Sequence, residues 1–391
     1  MIAIIRSLTI VVQKYGGSSV ADPEKIQQVA RHVAATHGSG RKVVVVVSAM
    51  GKTTENLLSL ARTLAAEPPR RELDMLVSTG ERVTMALISM ALTTLGVDAV
   101  SFTGSQSGII TSDRHFDAEI IEVRPQRIWD ELGRDRVVIV AGYQGMSLAR
   151  EITTLGRGGS DTTAVALTAA LGAEHCEIYS DVDGIYSADP RSVVEARHLP
   201  TIDYETMQEM AESGAKVLNA RAVDWAKRHR IVIHARKTAD FAEHGAGRET
   251  RVEAKSAERA AIVVDSKLAW LDAPLGARAP LLSIVTAAGI PVRDAWIDER
   301  MRLLLSLTSV PEFAATGALL RDAGASAVRT DVAAVSAVAV GVGRLPDVLA
   351  RALDCIPSSA LGTSLSPLRL CAVVPAQDAP ELERAWHALF G

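Results

Sequence analysis

The stretch Lys-Val-Val-Val-Val-Val-Ser, residues 42–48, is apolar at five consecutive positions and then turns polar. A strand with one face in water alternates apolar and polar residues, so this run predicts a strand covered on both faces. The run Val-Val-Ile-Val at residues 137–140 has the same character. Such strands, separated by longer helical segments, predict a mainly parallel sheet sandwiched by helices, which is a three-layer α/β/α domain.

The alternation of strand and helix continues on both sides of this stretch. Further strands are predicted at residues 8–14, 98–102, 136–141, 176–180 and 231–234, and helices at residues 23–36, 54–66, 73–95, 161–171, 203–212 and 219–230. Asp22 is the predicted N-cap of the first of these helices, and Pro23 lies in its first turn. Together these elements predict one large α/β domain over residues 1–240.

The composition changes after this domain. Residues 243–249, Glu-His-Gly-Ala-Gly-Arg-Glu, lack apolar periodicity, so residues 241–258 are predicted to form a linker. Residues 259–391 are rich in Ala, Leu and Val and contain short strands and helices. Their order fits two consecutive βαββαβ units of roughly 65 residues each, so we expect two ferredoxin-like α+β domains.

Charge and cysteine content restrict the class of partner. The 391 residues include 42 Lys and Arg against 46 Asp and Glu, which gives no reason to expect nucleic acid or an anionic membrane as a partner. The three cysteines are odd in number and lack metal-ligand spacing, so they are predicted to be free thiols of a reducing compartment. No apolar run is expected to span a membrane, and the protein is expected to be cytoplasmic.

Two glycine-rich segments follow or precede buried elements. The first strand runs into Lys14-Tyr15-Gly16-Gly17-Ser18-Ser19, where exposed amides and a lysine suit phosphate, although Gly-Gly after a strand is also an ordinary turn. In the second segment, Arg157 stands among Gly156, Gly158 and Gly159, before Ser160 and Asp161 open a helix. A capped helix in a flexible loop is the plain interpretation. The functional one is a helix N-terminus facing an anion, with Arg157 pairing to a carboxylate.

A third segment leaves a buried strand as Tyr-Ser-Asp-Val-Asp-Gly-Ile-Tyr-Ser-Ala-Asp-Pro-Arg, residues 179–191. A loop with Asp183 as a capping residue would explain it. Its tyrosines, carboxylates and arginine also suit a nucleotide pocket with aromatic walls and polar edges.

Taken in order, six segments resemble the aspartate kinases of the amino-acid kinase superfamily. They are Lys-Tyr-Gly-Gly-Ser-Ser-Val (14–20), Ser-Ala-Met-Gly (48–51), Ser-Thr-Gly-Glu (78–81), Thr-Leu-Gly-Arg-Gly-Gly-Ser-Asp-Thr-Thr-Ala (154–164), the segment 179–191 and Gly-Ala-Lys-Val-Leu (214–218). The resemblance implies a kinase catalytic domain over residues 1–240, followed by a divergent tandem pair of ACT regulatory domains over residues 259–391.

The resemblance also implies a role for each matching residue. The implied catalytic residues are Lys14, Arg157 and Asp161. The implied substrate-binding residues are Ser48, Thr54, Glu81, Arg157, Gly158, Gly159 and Ser160. The implied ATP-binding residues are Lys14, Tyr15, Gly16, Gly17, Ser180, Asp181, Tyr186, Asp189, Arg191 and Lys216. ATP and Mg²⁺ are the implied cofactors, and no side chain is predicted to be a metal ligand.

These residue types agree with the chemistry that the resemblance implies, the phosphorylation of L-aspartate to 4-phospho-L-aspartate. A carboxylate is ionised at neutral pH, so it attacks without a general base, and the motifs contain no histidine. The difficulty is to bring two anions together, which calls for Lys14, Mg²⁺ and oriented amides. Glu81 favours a substrate with an amino group.

The C-terminal region departs from the family pattern. The family's Asp-x-Pro-Gly turn is replaced by Asp272-Ala273-Pro274-Leu275-Gly276, and residues 294–298, Asp-Ala-Trp-Ile-Asp, stand where a Gln-Asn pair receives the effector. We therefore expect feedback inhibition by lysine or threonine to be altered or lost. The family implies a homodimer or larger assembly through the ACT region.

Two other interpretations remain open. The chain is a kinase of a related amino acid, or it is a non-catalytic, ACT-bearing regulatory partner. Intact Lys14, Glu81, Arg157 and Asp161 count against the second, because a decayed site would have lost some of its charges.

Overall fold

The computed structural model describes residues 9–238, 247–254, 260–308, 310, 313–344 and 346–390. The chain divides into two units by its internal contacts. The first unit comprises Met1–Ile185, His198–Gln208 and Lys216–Ala257, and the second comprises Tyr186–Arg197, Glu209–Ala215 and Glu258–Gly391.

An eight-stranded sheet forms the centre of the first unit, in the order β12-β14-β13-β9-β1-β2-β6-β3. Its neighbouring strands are parallel except for β13 and β14. The quoted valine run forms β2, which lies between β1 and β6 and has Val43–Val47 fully buried. The strands up to residue 253 are β1 Ile10–Tyr15, β2 Lys42–Val47, β3 Ala99–Phe102, β4 Ile109–Thr111, β5 Ile120–Val123, β6 Val137–Ala141, β7 Gln144–Ser147, β8 Ile152–Thr154, β9 Cys176–Ser180, β10 Ile185–Tyr186, β11 His198–Leu199, β12 Thr201–Asp203, β13 Ile233–Lys237 and β14 Glu249–Glu253.

Helices cover both faces of this sheet. Alternate residues of a strand point to opposite faces, and Val11 and Val43 pack with Val29 and Ile88 on one face. Lys14 points to the other face, where it meets a helix. The helices up to residue 229 are α1 Pro23–Gly38, α2 Thr53–Leu64, α3 Arg70–Val77, α4 Thr79–Thr94, α5 Gln126–Leu132, α6 Gly159–Leu171, α7 Tyr204–Glu212 and α8 Ala220–His229. Thus α1 and α4 form one layer, and α6, with α8 packed on it, forms the other.

Local sequence signals place several of these elements correctly. Asp22 caps α1, because its Oδ1 accepts the Lys25 amide at 2.9 Å. The single helix predicted at residues 73–95 is wrong, since Ser78 separates α3 from α4. The sequence also gives no sign of the small sheet β5-β4-β7-β8, whose strands are short.

The stretch Arg70–Thr94 is, within the described part of the chain, the one helical run long and apolar enough to cross a membrane by length and composition. The expectation that no such run exists is therefore corrected. The run is apolar because residues such as Ile88 and Leu92 face the sheet, and 44% of its most apolar window is buried in the fold.

The predicted linker is also corrected in part. Within residues 241–258, Glu249–Glu253 form β14, which pairs with β13 and β12. Thr250 and Val252 are fully buried and alternate with exposed Arg251, so two inward-facing residues are enough to add this strand.

Residues 261–375 of the second unit contain two four-stranded antiparallel sheets, in the orders β17-β18-β16-β19 and β15-β20-β22-β21. The strands are β15 Ala261–Asp265, β16 Leu268–Pro274, β17 Val292–Ile297, β18 Arg300–Ser306, β19 Ala327–Arg329, β20 Val332–Val338, β21 Gly362–Leu365 and β22 Arg369–Pro375; the helices are α9 Arg278–Ala287, α10 Phe313–Asp322, α11 Pro346–Asp354 and α12 Ala379–Phe390. The run from β16 to β19 is a complete βαββαβ unit.

The two ferredoxin-like units are nested rather than consecutive. The sheet of the second ferredoxin-like domain has β15 as an edge strand, and β15 precedes β16 in the chain. The first ferredoxin-like domain is therefore inserted into the second one. The sheets face each other through Trp270, Leu304, Ala334 and Val373. The predicted fold class, an α/β/α domain followed by two ferredoxin-like domains, is confirmed.

Candidate active site

Four parallel strands end at the same edge of the large sheet. Tyr15 lies beside Val47 and Tyr179 in the register, and Val47 lies beside Ala141. The loops that start at Gly16, Ser48, Gly142 and Asp181 therefore emerge together. In open α/β sheets this carboxyl edge is where ligands bind.

Lys14 and Asp161 form an ion pair at this edge. Lys14 Nζ lies 2.6 Å from Asp161 Oδ1, and the two residues are 8% and 7% exposed. Lys14 is the second-last residue of β1, and Asp161 lies in the first turn of α6, so the pair joins the end region of the strand to the helix N-terminus. The structure thus brings these two predicted catalytic residues together, and their catalytic roles stay predictions.

The glycine loop after β1 packs tightly against the loop after β2. A Cβ on Gly17 would lie 2.9 Å from the Ala49 carbonyl oxygen, so no larger residue fits there without movement. The amide of Gly16 donates to the Tyr179 carbonyl at 3.1 Å. The predicted use of the Gly16 amide for phosphate is therefore corrected, because the β1–β9 ladder already takes that hydrogen.

Tyr15 also departs from its predicted role in binding ATP. Its side chain is fully buried on the sheet face that α1 and α4 cover, opposite to Lys14, and its ring stacks on Tyr179 with centroids 5.0 Å apart. Alternation along β1 makes this unavoidable once Lys14 faces α6. Tyr15 is thus a core residue beneath the site.

The loop that carries Arg157 is held by its backbone. Gly156 and Gly158 have φ angles of +73° and +72°, a region that favours glycine. The Arg157 carbonyl accepts a hydrogen bond from Asn219 Nδ2 at 2.9 Å. The Arg157 side chain is exposed and has no hydrogen bond or ion pair to any described residue. Its guanidinium is therefore available to a ligand.

Ser160 and Gly159 begin α6 beneath this loop. A Cβ on Gly142 would lie 2.8 Å from Ser160 Oγ, which places that hydroxyl beside the end of β6. Gly159 could not carry a side chain, because its Cβ would lie 2.7 Å from Leu155. The Gly159 amide donates to the Gly156 carbonyl at 3.1 Å and the Asp161 amide to the Gly158 carbonyl at 3.0 Å, so the Ser160 hydroxyl is the polar group that this helix start brings to the strand edge.

Glu81 is a further ionisable residue at this edge. It lies in the first turn of α4, is 3% exposed, and its Oε1 accepts the Ala49 amide at 3.1 Å. Its Oε2 is buried and has no hydrogen-bond partner among the described residues. Burial raises the pKa of Glu81 to about 7, against the lowering effect of its own amide and that of Ala49. A buried carboxylate with one free oxygen suits a cationic ligand group.

Ser48 and Thr54, two of the predicted substrate residues, flank the segment that contacts Glu81. Ser48 directly follows β2 and is half-buried, and its amide donates to the Tyr15 carbonyl at 3.1 Å. Thr54 is half-buried in the first turn of α2. Both lie close in sequence to Ala49, so their predicted roles are compatible with the fold.

Tyr143 is a residue of this region that the sequence motifs missed. It follows β6 with a φ of +68°, and a Cβ on Gly159 would lie 3.1 Å from its ring. Burial raises its pKa to about 12, with a smaller lowering effect from a hydrogen bond to Thr154. Thr154 in turn donates to the fully buried Asp74 at 2.5 Å. An aromatic residue two positions after a buried strand is the signal that could have found it.

The remaining predicted ATP-binding residues divide between the two units. Ser180 is half-buried and Asp181 exposed at the end of β9, and Lys216 is exposed in the loop between α7 and α8. Tyr186, Asp189 and Arg191 lie in the second unit, where Arg191 pairs with Asp189 at 2.7 Å. The roles of these residues in binding ATP stay predictions.

Residues 9–236 match the model of the family described as the amino acid kinase family. The chain belongs to that family. It is 40% identical to an aspartokinase of Thermus thermophilus over 402 aligned positions, which cover 98% of this chain and 99% of that protein. The resemblance to aspartate kinases is therefore confirmed.

Two further comparisons extend this result. An aspartokinase of Mycobacterium tuberculosis is 58% identical over 232 residues, 59% of this chain, and that alignment spans only 55% of the mycobacterial protein's length. The solved structure of Escherichia coli aspartokinase III, in complex with aspartate and ADP, aligns with a TM-score of 0.83 and 26% identity over 97% of this chain and 99% of that one.

Proposed function

We propose that the protein is an aspartate kinase, which transfers the γ-phosphoryl group of ATP to the side-chain carboxylate of L-aspartate and yields 4-phospho-L-aspartate. The product is an acyl phosphate, suited to the first step toward lysine, threonine and methionine. The observation that carries the proposal is Glu81, whose buried and unpaired Oε2 lies at the same sheet edge as the Lys14–Asp161 pair. That edge offers one group for an ammonium and one cation for phosphate.

The residues act by binding and orientation. Lys14 neutralises the transferring phosphoryl group, and Asp161 holds Lys14 at the strand end. Glu81 takes the substrate ammonium, and Arg157, with Ser48, Thr54, Gly158, Gly159 and Ser160 around it, takes the substrate carboxylates. The attacking carboxylate is already ionised, so rate acceleration comes from alignment and charge stabilisation.

ATP enters as its magnesium complex. Magnesium keeps several water ligands and is bound by phosphate oxygens with one or two protein carboxylates, so the site needs no dedicated metal cage. Asp161 is a carboxylate that fits this need at the sheet edge. When bound, the metal would neutralise phosphate charge. Ser180, Asp181 and Lys216 are the proposed nucleotide contacts of the first unit, and the roles of Tyr186, Asp189 and Arg191 in binding ATP stay predictions.

The first experiment measures ADP release with ATP, Mg²⁺ and a panel of amino acids, with hydroxylamine added to trap an acyl phosphate. We expect turnover with aspartate and its loss in Arg157→Ala and Lys14→Ala. If only another amino acid supports turnover, that amino acid replaces aspartate as the proposed substrate. If a folded protein that binds ATP releases no ADP with any amino acid of the panel, the proposed kinase activity is contradicted and a non-catalytic regulatory partner is favoured.

Residues 1–240 form the proposed catalytic domain, and residues 259–391 the proposed ACT region, which we infer has weak or lost inhibition by lysine and threonine. In β17 the residues at the family's effector position already have internal partners. Asp294 pairs with Arg369 at 2.6 Å, and Trp296 Nε1 donates to the Thr363 carbonyl at 2.9 Å. Titration of the active enzyme with lysine and with threonine tests this inference, and inhibition at micromolar concentration by either amino acid would contradict it.

Assembly and location complete the proposal. The protein is a cytoplasmic homodimer or larger oligomer joined through the ACT region. Light scattering of the full chain at micromolar concentration tests the assembly, and a monomeric mass would contradict it.

A further inference from the structure

Asn219 joins a helix start to the loop that carries Arg157. It is the N-cap of α8, because its Oδ1 accepts the Arg221 amide at 2.9 Å. Its Nδ2 donates to the Arg157 carbonyl at 2.9 Å. The two ends of one amide group therefore hold two separate segments.

The Asn219 side chain also covers Gly158, the residue that precedes α6. A Cβ on Gly158 would lie 2.6 Å from Asn219 Nδ2, so the two residues are in close contact. Thr162, in the first turn of α6, donates to Asn219 Oδ1 at 3.4 Å. Asn219 thus contacts the loop just before α6 and the first turn of that helix.

A second residue of α8 holds the other end of the same loop. Arg221 Nη1 lies 3.5 Å from the Leu155 carbonyl, and its Nη2 lies 2.9 Å from Asp117 Oδ1. Asp117 Oδ1 would lie 3.0 Å from a Cβ on Gly156. The backbone of residues 155–158 is therefore fixed from α8, while the Arg157 side chain itself is exposed.

We propose that Asn219 is a positioning residue that sets the affinity for the carboxylate-bearing substrate by fixing the Arg157 backbone. A glycine-flanked arginine on an unsupported loop would lose much of its binding energy to ordering the loop. Asn219 removes that cost in advance. The identity of the carboxylate ligand rests on the proposed function. The fixing of the loop backbone at residues 155–158 by Asn219 does not.

The test uses Asn219→Ser in the full-length protein. Serine keeps a helix-capping oxygen and lacks the amide donor to the Arg157 carbonyl. Loss of one hydrogen bond is expected to raise KM for aspartate ~10-fold, with kcat within about threefold and KM for ATP within about twofold. The matched control is Asp203→Ala, which removes a cap at α7, where Asp203 Oδ1 accepts the Thr206 amide at 2.7 Å. It should lower Tm and leave KM for aspartate unchanged.

A double-mutant cycle separates positioning from a general structural effect. Because Arg157→Ala is expected to abolish turnover, the cycle measures the dissociation constant for aspartate by equilibrium binding. In the Arg157→Ala background, Asn219→Ser should change that constant by less than about twofold, since its effect passes through Arg157. A full tenfold effect in that background, or equal increases in KM for ATP and aspartate, would overturn the proposal.

Amide hydrogen exchange of the free protein tests the hold on the loop without any turnover. Peptides covering residues 155–160 should exchange faster in Asn219→Ser, while peptides from the start of α8 stay as in the wild type. If the wild-type protein phosphorylates no amino acid, the proposed function fails and this measurement still decides whether Asn219 fixes the loop. Unchanged exchange would overturn the proposal.

Discussion

Glu81 and Glu177 are two glutamates of the first unit, each 3% exposed, whose surroundings differ in every other respect. Glu81 has one hydrogen bond, from the Ala49 amide, and burial raises its pKa to about 7. Glu177 accepts hydrogen bonds from Gln13 Nε2 at 2.7 Å and the Tyr179 hydroxyl at 3.1 Å, and it pairs with Arg236. Burial depth alone therefore says little about what a buried carboxylate does.

The number of partners separates the two regions. Burial acts to raise the pKa of Glu177, but the hydrogen bond from His175 and the charge of Arg236 outweigh it and lower that pKa to about 2. A carboxylate that is fully paired inside the protein serves the fold. One that keeps a free oxygen at a strand edge carries an energetic cost that a cationic ligand can remove.

The largest expected effect comes from breaking the paired region. Glu177→Ala removes a buried partner of Arg236 and His175 and should lower the free energy of unfolding by about 3–5 kcal/mol. Urea denaturation measures this. The matched control is Glu174→Ala, three residues earlier, whose side chain is 54% exposed and which should change stability by less than about 0.5 kcal/mol. Equal losses in both variants would show that the pairing of Glu177 is not special.

Glu81→Gln tests the unpaired region and should act in the opposite sense on stability. Removing a buried charge that lacks a partner should leave the protein at least as stable as the wild type near pH 8. The amide cannot offer a charge to the substrate ammonium, so KM for aspartate should rise ~100-fold. Steady-state kinetics and urea denaturation measure the two effects.

The control for this variant is Glu72→Gln, an exposed glutamate in the first turn of α3 that pairs with Arg71. It should alter neither KM nor stability appreciably. A loss of stability in Glu81→Gln with unchanged KM for aspartate would assign Glu81 to the fold and remove it from the site.

The pH dependence of the two regions should have opposite signs. The pKa of Glu81 is raised in the folded protein, so its contribution to stability is present below pH 4.5 and is lost as the pH rises through about 7. The pKa of Glu177 is lowered, so its contribution is present above pH 4.5 and is lost as the pH falls toward 2. Unfolding measured from pH 3 to 8 in wild type and Glu81→Gln should isolate the first contribution.

Substrate affinity provides the matching kinetic test. Only ionised Glu81 attracts an ammonium, so KM for aspartate should fall roughly tenfold between pH 6 and 8 as the carboxyl group loses its proton. In Glu81→Gln this dependence should disappear. A profile of equal slope in both proteins would show that another group controls substrate binding.

The sequence predicts the strand edge well and the pairing behind it poorly. Val43–Val47, Lys14 and Glu81 follow from apolar runs and from family motifs, because those signals are local or fixed in order along the chain. The partners of Glu177 come from β1, β9 and β13, up to 164 residues apart in sequence, and no local pattern announces them.

The local nature of sequence signals also explains two errors, the predicted role of Tyr15 at the site and the predicted order of the ferredoxin-like domains in the second unit. Lys14 and Tyr15 are adjacent in a motif, yet alternation along β1 sends them to opposite faces, so a motif cannot assign both side chains to one pocket. The nesting of the ferredoxin-like units depends on β15, a single strand that precedes the inserted unit. Strand order in a sheet is a property of the fold and is not written in the spacing of strands along the chain.

The smallest expected effect sharpens the comparison within the paired region. Glu249 shares Arg236 with Glu177, since Arg236 Nε donates to Glu249 Oε2 at 2.6 Å, but its side chain is 30% exposed. The hydrogen bond from His234, together with the hydrogen bond and charge of Arg236, outweighs the effect of burial and lowers the pKa of Glu249 to about 2. Glu249→Gln keeps an acceptor beside a partly solvated cation, so it should lower the free energy of unfolding by only about 1 kcal/mol. Both carboxylates pair with Arg236, so the double variant Glu177→Ala, Glu249→Gln leaves the half-buried Arg236 guanidinium without a charged partner on either strand. Its loss in free energy of unfolding should therefore exceed the sum of the two single losses. Strict additivity in urea denaturation would show that the two pairs are independent and that Glu177 is held mainly by Gln13, His175 and Tyr179.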